Sequence, residues 1–381
     1  KFIRERVMLR NLVVCCDGTT NEVIGDTTNV FRLYRCLERN DLQLTYYDCG
    51  VGTIVSPGWI TSKGRSISRK LDAAMGVNIR DQVLHAYRFL VRHYRPGDRI
   101  FLFGFSRGAY AVRAVAGMIH FLGLLRPELE HLAELAWSMY SGDNIDQSSS
   151  DRFEGANRFR KSFCTKYPVR IHFTGVWDTV SSFGWIGDLR TLPHTSNNPS
   201  IVHVRHAMAI DERRAMFQPN HFRPKNVKQH LSFKEVWFAG SHGDVGGGYP
   251  ETKGMLSKVS LEWMIREARG CRLAISRKEY GHIMNNPPHH PPADPLGDQH
   301  DELDKRRWWP LEVIPTRRFT EEDLKFSKKK RWQLPNWWQR RVVKSTIGVN
   351  IPPVLHSSVL KRQAEKKYHP PNFPAKYQIE N

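Results

Sequence analysis

Long apolar runs are missing from this sequence. Its most apolar stretch, residues 109–125, is interrupted by Arg113 and His120 and is too short to cross a bilayer. No transmembrane helix is therefore predicted. The chain starts at Lys1 with a charged, mixed segment that has no apolar core, so no signal peptide is expected either. Together these absences predict a cytoplasmic protein.

Cysteine is also scarce. The six cysteines form no C-x-x-C pair and lie mostly within apolar segments, which argues against a zinc site and against a disulfide framework. We expect reduced, buried thiols. The adjacent His289 and His290 stand between prolines and lack the spacing of a ligand pair. The sequence therefore predicts neither a metal nor a cofactor.

Acidic residues are outnumbered by basic ones. The chain has 38 Asp and Glu against 58 Lys and Arg, for a formal net charge of +20, and half of the excess falls after residue 250. Such a charge attracts anionic partners, a membrane surface or nucleic acid, but it also occurs on an ordinary solvated surface. With 381 residues, 40% of them hydrophobic, the chain can bury a substantial core.

What the sequence does contain is a G-x-S-x-G pentapeptide, with Ser106 between Gly104 and Gly108. Residues 99–103 before it have the aromatic and β-branched content of a buried strand, and an alanine-rich helix is predicted after it. A serine on such a turn is strained and exposed, and the residues two positions away must be small so that strand and helix can approach. The pattern predicts a nucleophile elbow.

Strand-like and helical patterns alternate along the first 284 residues. Strands are predicted at 11–16, 42–47, 169–177 and 234–240, and a helix at 78–93 leads into the nucleophile strand. This alternation predicts an α/β fold with a mostly parallel central sheet flanked by helices, and function at the carboxyl ends of its strands.

The character of the chain changes at residue 285. A Pro- and His-rich run cannot continue regular structure, and Pro- and Trp-rich basic segments follow it. We therefore predict a catalytic core over residues 1–284 and an irregular C-terminal extension, residues 285–381, packed on that core.

A serine hydroxyl needs an imidazole as its base, and the imidazole needs an acid that fixes its tautomer. Asp178 directly follows a predicted strand, and His242 lies in a glycine-rich loop after another. The order Ser106, Asp178, His242 is that of the α/β-hydrolases. Asp244 is the alternative acid, although it could instead turn the loop or bind a cation. Asp178 is preferred.

The oxyanion formed by attack on a carbonyl needs two donors. The backbone N–H of Arg107 follows the nucleophile and is the first candidate; Gly18 or Thr19, after the first strand, is the second. The run Asp17-Gly18-Thr19 also suggests a haloacid-dehalogenase-type phosphatase, but Cys15 occupies the position of its nucleophile. The glycine-rich loop at 243–248 is followed by no Lys-Ser or Lys-Thr, so a Walker motif is excluded.

Taken together, these clusters resemble the family once described as an uncharacterised α/β-hydrolase domain, which includes the first class of type VI secretion phospholipase effectors. The resemblance covers nearly the whole chain. It is carried by VCCDGTTN at 14–21, PGDRIFLFGFSRGAY at 96–110, GVWDTV at 175–180, HAMAIDERRAMF at 206–217, VWFAGSHGDVGGGY at 236–249, HSSVL at 356–360 and YHPPNFP at 368–374. The resemblance implies the α/β-hydrolase fold and a serine lipase or esterase, with Ser106, Asp178 and His242 at the triad positions. It also implies a secreted effector as the alternative to a cytoplasmic protein.

The leading hypothesis is hydrolysis of a carboxylic ester, in a lipid or phospholipid, and the alternative is a catalytically silent scaffold that binds an anionic membrane or nucleic acid. The intact order of the triad residues argues against a silent scaffold, and therefore also against nucleic acid as a binding partner. Interleaved aromatic and basic residues could seat the protein at an anionic membrane, or could pack the extension on the core. They are Trp308, Trp309, Trp332, Trp337 and Trp338 with Arg306, Arg307, Arg331, Arg340 and Arg341. For the charged run 206–214, a structural ion-pair network is favoured over substrate contact. The oligomeric state is left open.

Overall fold

Strands and helices alternate in the structure as the sequence pattern predicts. The computed structural model describes residues 9–18, 27–50, 78–142, 149–180, 183–185, 188–190, 192–304, 309–312, 316–318, 331–333, 340–348 and 351–381. The strands are β1 Asn11–Cys16, β2 Gln43–Asp48, β3 Arg99–Phe105, β4 Ile171–Trp177, β5 Phe183–Trp185, β6 Asp188–Arg190, β7 Ile201–Ala209, β8 Ser232–Phe238, β9 Thr316–Arg318, β10 Arg331–Gln333, β11 Val354–His356 and β12 Gln378–Glu380.

Helices fill most of the connections between these strands. They are α1 Asn29–Cys36, α2 Asn78–His93, α3 Arg107–Leu122, α4 Ala133–Ser141, α5 Ser149–Phe163, α6 His242–Gly246, α7 Met255–Gly270, α8 Arg277–Met284, α9 Trp309–Glu312 and α10 Ser357–Lys366. Short 3-10 turns lie at Pro127–Leu132, Ala215–Phe217, Val227–Gln229 and Glu302–Asp304. Of the helices in the described ranges, none is both long and apolar enough to span a membrane.

The central sheet has eight strands in the order β12-β11-β8-β7-β4-β3-β1-β2, and every pairing between them is parallel. This confirms the predicted mostly parallel α/β sheet. The chain places β2 on one side of β1 and β3 on the other, so the direction of strand addition reverses there. In open parallel sheets, ligands bind at the carboxyl ends of the strands beside such a switch point. A separate four-stranded sheet has the order β10-β9-β6-β5.

Both faces of the central sheet are covered by helices. Successive side chains of a strand point to opposite faces of the sheet and pack in different apolar clusters. On β1, Leu12 and Val14 contribute to one apolar cluster, whereas Val13 and Cys15 contribute to the other. Helices α2 and α3 pack on the first face, and α1 and α7 on the second. All six cysteines are free thiols, and Cys49 and Cys271 are the two that are only half-buried.

The C-terminal residues differ from the predicted extension in one respect. Strand β11 pairs with β8, and β12 pairs with β11, so residues beyond 285 complete the central sheet rather than only packing on it. Each of these strands has three residues, which is too short for an alternating pattern to be visible in the sequence.

Strand β7, in the middle of the sheet, was also missed by sequence reasoning. Its carboxyl half carries Arg205 and His206, which are atypical of a buried strand, but both are buried and paired. Arg205 Nε donates to Glu267 Oε2 at 2.5 Å, and His206 Nδ1 lies 2.9 Å from Glu235 Oε1. Partners on neighbouring elements offset the cost of burying these groups.

Candidate active site

Ser106 lies at a sharp turn between β3 and α3. It is the N-cap of α3, and its backbone has φ 57° and ψ −120°, a conformation that is strained for a residue with a side chain. Its backbone N–H donates to the carbonyl of Trp177, at the end of the adjacent strand, at 3.1 Å. The turn therefore presents a half-buried serine at the carboxyl edge of the sheet.

The glycines on either side of Ser106 allow this turn to pack closely. A Cβ atom on Gly104 would lie 2.5 Å from the carbonyl oxygen of Gly108, and one on Gly108 would lie 2.1 Å from the carbonyl oxygen of Cys16. Both distances are well inside van der Waals contact. The elbow therefore packs directly on the end of β1, which brings the loop after β1 beside Ser106.

Asp178 and His242, which are 64 residues apart, meet at this edge. His242 Nδ1 lies 2.5 Å from Asp178 Oδ2. Both side chains are buried, Asp178 completely. The His242 ring packs between two aromatic rings, with its centroid 4.5 Å from that of Phe105 and 4.9 Å from that of Phe217. Since Phe105 immediately precedes Ser106, the imidazole lies beside the elbow.

A second residue holds the Asp178 carboxylate. Arg341, from the C-terminal segment, donates from Nη1 to Oδ1 at 2.6 Å and from Nη2 to Oδ2 at 3.0 Å. The backbone N–H of Ala209 also donates to Oδ1, at 3.0 Å. Arg341 is 3% exposed, so this bidentate pair is shielded from water. Sequence reasoning did not find this contact.

Burial and neighbouring charges have opposite effects on the pKa values of Asp178 and His242. Burial alone would raise the pKa of Asp178, but Arg341 and His242 outweigh it and hold that pKa well below its usual value. Burial lowers the pKa of His242 below 6.5, and the neighbouring Asp178 only partly offsets this. The resting site therefore combines an ionised carboxylate with a neutral imidazole, the state in which a histidine can accept a proton.

Among the described residues, none forms a hydrogen bond with the Ser106 hydroxyl. In unliganded hydrolases the bond between nucleophile and base is often long, and it tightens when substrate binds. The structure thus brings together Asp178 and His242 by direct contact, and places Ser106 beside them without a direct hydrogen bond.

Asp244, the alternative acid, has a different set of partners. Its carboxylate accepts from the backbone N–H of Ser241 at 2.9 Å, in a capping box at the start of α6. It also accepts from the backbone N–H of His300 at 2.9 Å, and its Oδ1 lies 2.7 Å from His300 Nδ1. Asp244 therefore belongs to the cap of the helix that begins with His242, and in the described part of the chain the hydrogen bond to the His242 ring comes from Asp178 and not from Asp244.

The predicted oxyanion donors are placed in different ways. Arg107 is the first residue of α3, and the N–H groups of a first helical turn have no acceptor within the helix. The Gly18 N–H donates to Asp17 Oδ1 at 2.8 Å. Asp17 is buried and also accepts from Tyr47 Oη at 2.9 Å and from the Thr28 hydroxyl. Thr19 lies outside the described residues.

Comparison with known proteins identifies the family. Residues 10–267 match the family described as T6SS, phospholipase effector Tle1-like, catalytic domain. The chain belongs to this family.

The chain spans between a third and about half of the length of three proteins that it matches. It is 36% identical over 226 residues to the uncharacterized protein YEL023C of Saccharomyces cerevisiae (strain ATCC 204508 / S288c), a match that covers 56% of the chain and 33% of that protein. Two solved structures are similar at low identity. An uncharacterized protein from Pseudomonas aeruginosa is 18% identical, with a TM-score of 0.42, over 71% of the chain and 47% of that protein. The Tle1 effector bound to the VgrG spike of the type 6 secretion system is 17% identical, with a TM-score of 0.37, over 65% and 53% respectively.

The charged run 206–214 of the Tle1-like domain forms ion pairs beside the site. Glu212 accepts from Arg214 Nε at 2.9 Å and from Nη2 at 2.8 Å, and both side chains are buried. Glu212 also accepts from the backbone N–H of His242 at 3.2 Å. His206 Nε2 accepts from the backbone N–H of Thr179 at 3.2 Å, immediately after Asp178. These contacts support the backbone that carries Asp178 and His242.

The aromatic and basic residues of the C-terminal segment divide into separate groups. Arg341, counted among the cations of a membrane-facing surface, is instead buried on Asp178. Trp309 is 44% exposed and its indole N–H donates to the carbonyl of Leu303 at 2.9 Å. Arg340 is partly exposed, with Nη1 3.8 Å from Asp211 Oδ1. The structure describes no side chain for Trp308, Trp332, Trp337, Trp338, Arg306, Arg307 or Arg331. Among the residues it does describe, no group of three His, Cys, Asp or Glu is arranged to hold a metal.

Proposed function

We propose that this Tle1-like domain is a serine hydrolase that cleaves carboxylic esters of lipids, including phospholipid acyl esters, through Ser106, Asp178 and His242. The observation that carries the proposal is the 2.5 Å contact between His242 and Asp178, both buried, beside a serine held in a strained strand-to-helix turn. Membership of a family described by its phospholipase effectors supports a lipid ester as the substrate class.

In the proposed reaction, His242 Nε2 takes the proton of the Ser106 hydroxyl as the oxygen attacks the ester carbonyl. The imidazolium then gives that proton to the departing alcohol, which leaves an acyl group on Ser106. Water, deprotonated by His242, attacks the acyl-enzyme and releases the carboxylic acid, with the proton returned to Ser106. Asp178 keeps Nδ1 protonated and stabilises the imidazolium in both steps.

The negative oxygen of each tetrahedral intermediate requires donors already aimed at it. We assign one to the backbone N–H of Arg107, at the N-terminus of α3, where the helix dipole also favours negative charge. The second donor is assigned to the loop after β1. Because the Gly18 N–H is engaged by Asp17, the Thr19 N–H is the better candidate within that loop.

The net charge of the chain predicts which kind of lipid surface presents the substrate. The net charge of +20 favours approach to an anionic lipid surface, so phospholipids with anionic headgroups in a bilayer should be better substrates than the same acyl esters in neutral bilayers. This preference should weaken as ionic strength rises, because salt screens charges beyond about 10 Å at 0.1 M.

A covalent probe tests the nucleophile directly. The purified chain is treated with a fluorophosphonate, the labelled residue is mapped by mass spectrometry, and hydrolysis of medium-chain esters and of phospholipid vesicles is measured. We expect label on Ser106, and at least 10³-fold slower hydrolysis with Ser106→Ala.

A second serine in the chain supplies a matched control. The Ser200 hydroxyl lies 2.6 Å from His120 Nδ1, but in the described part of the chain no carboxylate contacts His120. Ser200→Ala should therefore keep wild-type labelling and hydrolysis. Absence of label on Ser106, with hydrolysis unaffected by Ser106→Ala, would leave the alternative, a silent scaffold that binds anionic membranes.

A further inference from the structure

We propose that Arg341 is a positioning residue for the catalytic acid: its guanidinium, delivered by the C-terminal segment, fixes the Asp178 carboxylate in the orientation that holds His242. This inference rests on the proposed function and adds to it. It assigns a role in the hydrolytic site to a residue 163 positions after the acid.

The hydrogen bonds of Asp178 show how much of its orientation depends on Arg341. Four donors approach the carboxylate: His242 Nδ1, the Ala209 backbone N–H and two guanidinium nitrogens. Arg341 therefore supplies half of them. Because the guanidinium is planar and bonds to both oxygens at once, it fixes the plane of the carboxylate as well as its position.

Arg341 is itself rigidly held. Nη1 also donates to the carbonyl of Ala209 at 3.1 Å, and Nη2 donates to the carbonyl of Phe217. Ala209 ends strand β7, and the Phe217 ring packs on His242. The guanidinium thus ties the acid to the strand beside it and to the segment that covers the base.

The backbone conformation of Asp178 is a second reason why this residue needs contacts that hold it in place. Its φ is 36°, within the left-handed region that is unfavourable for a residue other than glycine, and such a conformation persists only where surrounding contacts enforce it. The Asp178 N–H donates to the carbonyl of Ala207 at 2.7 Å, and Arg341 restrains the side chain. Without Arg341, an ionised and completely buried carboxylate would lack a balancing charge.

The C-terminal segment has other anchors that do not contact Asp178. Arg362 Nη1 donates to the carbonyls of Pro295 and Gly297 at 2.9 and 2.8 Å. Asn372 Nδ2 donates to the carbonyls of Ile210 and Arg341 at 2.9 Å. These contacts should keep the segment in place when the Arg341 side chain is replaced, so loss of the guanidinium can be separated from loss of the segment.

The test compares Arg341→Met, Arg341→Lys and Arg362→Met with the wild-type protein, by steady-state hydrolysis of a soluble ester and by thermal unfolding. We expect Arg341→Met to lower kcat at least 20-fold and to change KM less than twofold, because Arg341 is buried against Asp178 and is not accessible to a substrate. Lysine restores one point charge but not the bidentate plane, so Arg341→Lys should regain part of kcat. Arg362→Met should lower the unfolding temperature and leave kcat within threefold of wild type.

The pH profile separates positioning from support of the fold. Among the residues that the structure describes, the charged groups that face His242 are Asp178, Glu212 and Arg214, with Arg341 on the other side of Asp178. Removing the Arg341 cation leaves the Asp178 charge unshared, which stabilises the imidazolium, so the acid limb of kcat/KM should move to higher pH by at least 0.5 unit in Arg341→Met. In Arg362→Met it should not move. Wild-type kcat and an unmoved limb in Arg341→Met would overturn the proposal.

A charge-balanced double variant covers the case in which Arg341→Met does not fold. Asp178→Asn together with Arg341→Met removes both buried charges, and it should fold because no unpaired ion remains. If Arg341 acts through Asp178, the double variant should be no more than threefold slower than Asp178→Asn alone. A further tenfold loss would contradict the proposal. Failure of the proposed function itself would appear separately, as a wild-type protein that is not labelled at Ser106.

Discussion

Ser106 and Asp178 follow directly on two neighbouring parallel strands, and both have a positive φ, 57° and 36°. The residues before them, Phe105 and Trp177, are paired in the sheet, and the Ser106 N–H donates to the Trp177 carbonyl at 3.1 Å. Two strained residues with side chains therefore stand side by side at the edge where β3 and β4 end. Such strain tends to concentrate at functional sites, and here it coincides with the proposed nucleophile and acid.

Replacing each candidate acid separately tests which carboxylate serves His242. Asp178→Asn should lower kcat by about 10³- to 10⁴-fold, because an amide in this position no longer stabilises the imidazolium or fixes its tautomer. Asp244→Asn should keep most of kcat and lower stability by about 1 kcal/mol, the effect of weakening a helix cap. Ester hydrolysis and denaturant unfolding of both variants provide the comparison. The reverse order, with activity lost in Asp244→Asn and retained in Asp178→Asn, would reassign the acid.

The elbow glycine Gly108 should tolerate no side chain. In Gly108→Ala the new Cβ would lie 2.1 Å from the Cys16 carbonyl oxygen, and relieving this overlap should cost about 1–3 kcal/mol and displace Ser106. Fluorophosphonate labelling should slow accordingly. Gly281→Ala is the matched control, since no atom outside the neighbouring backbone of helix α8 itself lies within 4 Å of its Cβ position. It should raise stability by up to about 1 kcal/mol, with the labelling rate unchanged.

The pH dependence of hydrolysis should reflect the buried base. Because burial lowers the pKa of His242 below 6.5, the imidazole remains neutral as the pH falls to 6.5, and activity should be lost only below that value. The acid limb of kcat/KM for a soluble ester, measured from pH 4.5 to 8, should therefore lie below pH 6.5. A limb above pH 6.5 would mean that His242 is stabilised as a cation instead.

Replacing Glu212 tests whether the acid limb of the pH profile follows the pKa of His242. The Glu212 carboxylate raises the pKa of His242, and Arg214 lowers it. Glu212→Gln removes the first influence and takes the nearer carboxylate away from the Arg214 cation, whose contact with Glu302 is longer, at 3.9 Å. Both changes favour neutral imidazole. The acid limb should move to still lower pH. A shift to higher pH in this variant would contradict the assignment of the limb to His242.

Stability should also fall on mild acidification, and His356 should contribute to the loss. Burial lowers its pKa to about 4 from a usual 6.5, so between these values the unfolded chain binds a proton that the folded chain does not. The stability from this site is present above pH 6.5 and is lost as the pH falls towards 4, by at most about 3 kcal/mol.

His356→Asn should reduce the loss of folding stability between pH 6.5 and 4. The His356 side chain caps α10, where it accepts from the Ser358 N–H at 3.3 Å, and asparagine is a favourable cap that does not titrate. Denaturant unfolding at pH 7, 6, 5 and 4.5 should show a smaller fall for the variant than for the wild-type protein. Parallel curves would exclude His356 as a source of the pH dependence.

The strands and helices with one clear periodicity could be predicted from the sequence. The bounds of β1 and α2 agree with the predicted 11–16 and 78–93, because a short apolar run and a long amphipathic helix are strong local signals. Strand β7 could not be recognised, because Arg205 and His206 interrupt its apolar pattern. Their burial is balanced by Glu267 and Glu235, which are distant in sequence.

In the candidate site, too, residues with a local sequence pattern could be predicted, and residues that depend on contacts distant in sequence could not. Ser106 lies in a pentapeptide with a defined geometric requirement, and Asp178 and His242 follow strands, so residue type and position were enough to select them as candidates. Arg341 belongs to a basic, Trp-rich segment with several arginines, and nothing in its spacing distinguishes it from the others. Only the folded chain brings it to Asp178. The Gly18 N–H similarly has a local partner, Asp17, that the sequence alone did not reveal.

The distance along the chain between Asp178 and Arg341 has a consequence for biosynthesis. A nascent polypeptide that has been translated only as far as residue 340 contains the serine turn, the imidazole and the carboxylate, but not the guanidinium that balances the carboxylate. Strands β11 and β12 are also still untranslated at that stage, and the outer edge of β8 has no neighbour. The ribosome therefore completes this site only after six of the eight strands of the central sheet have been made.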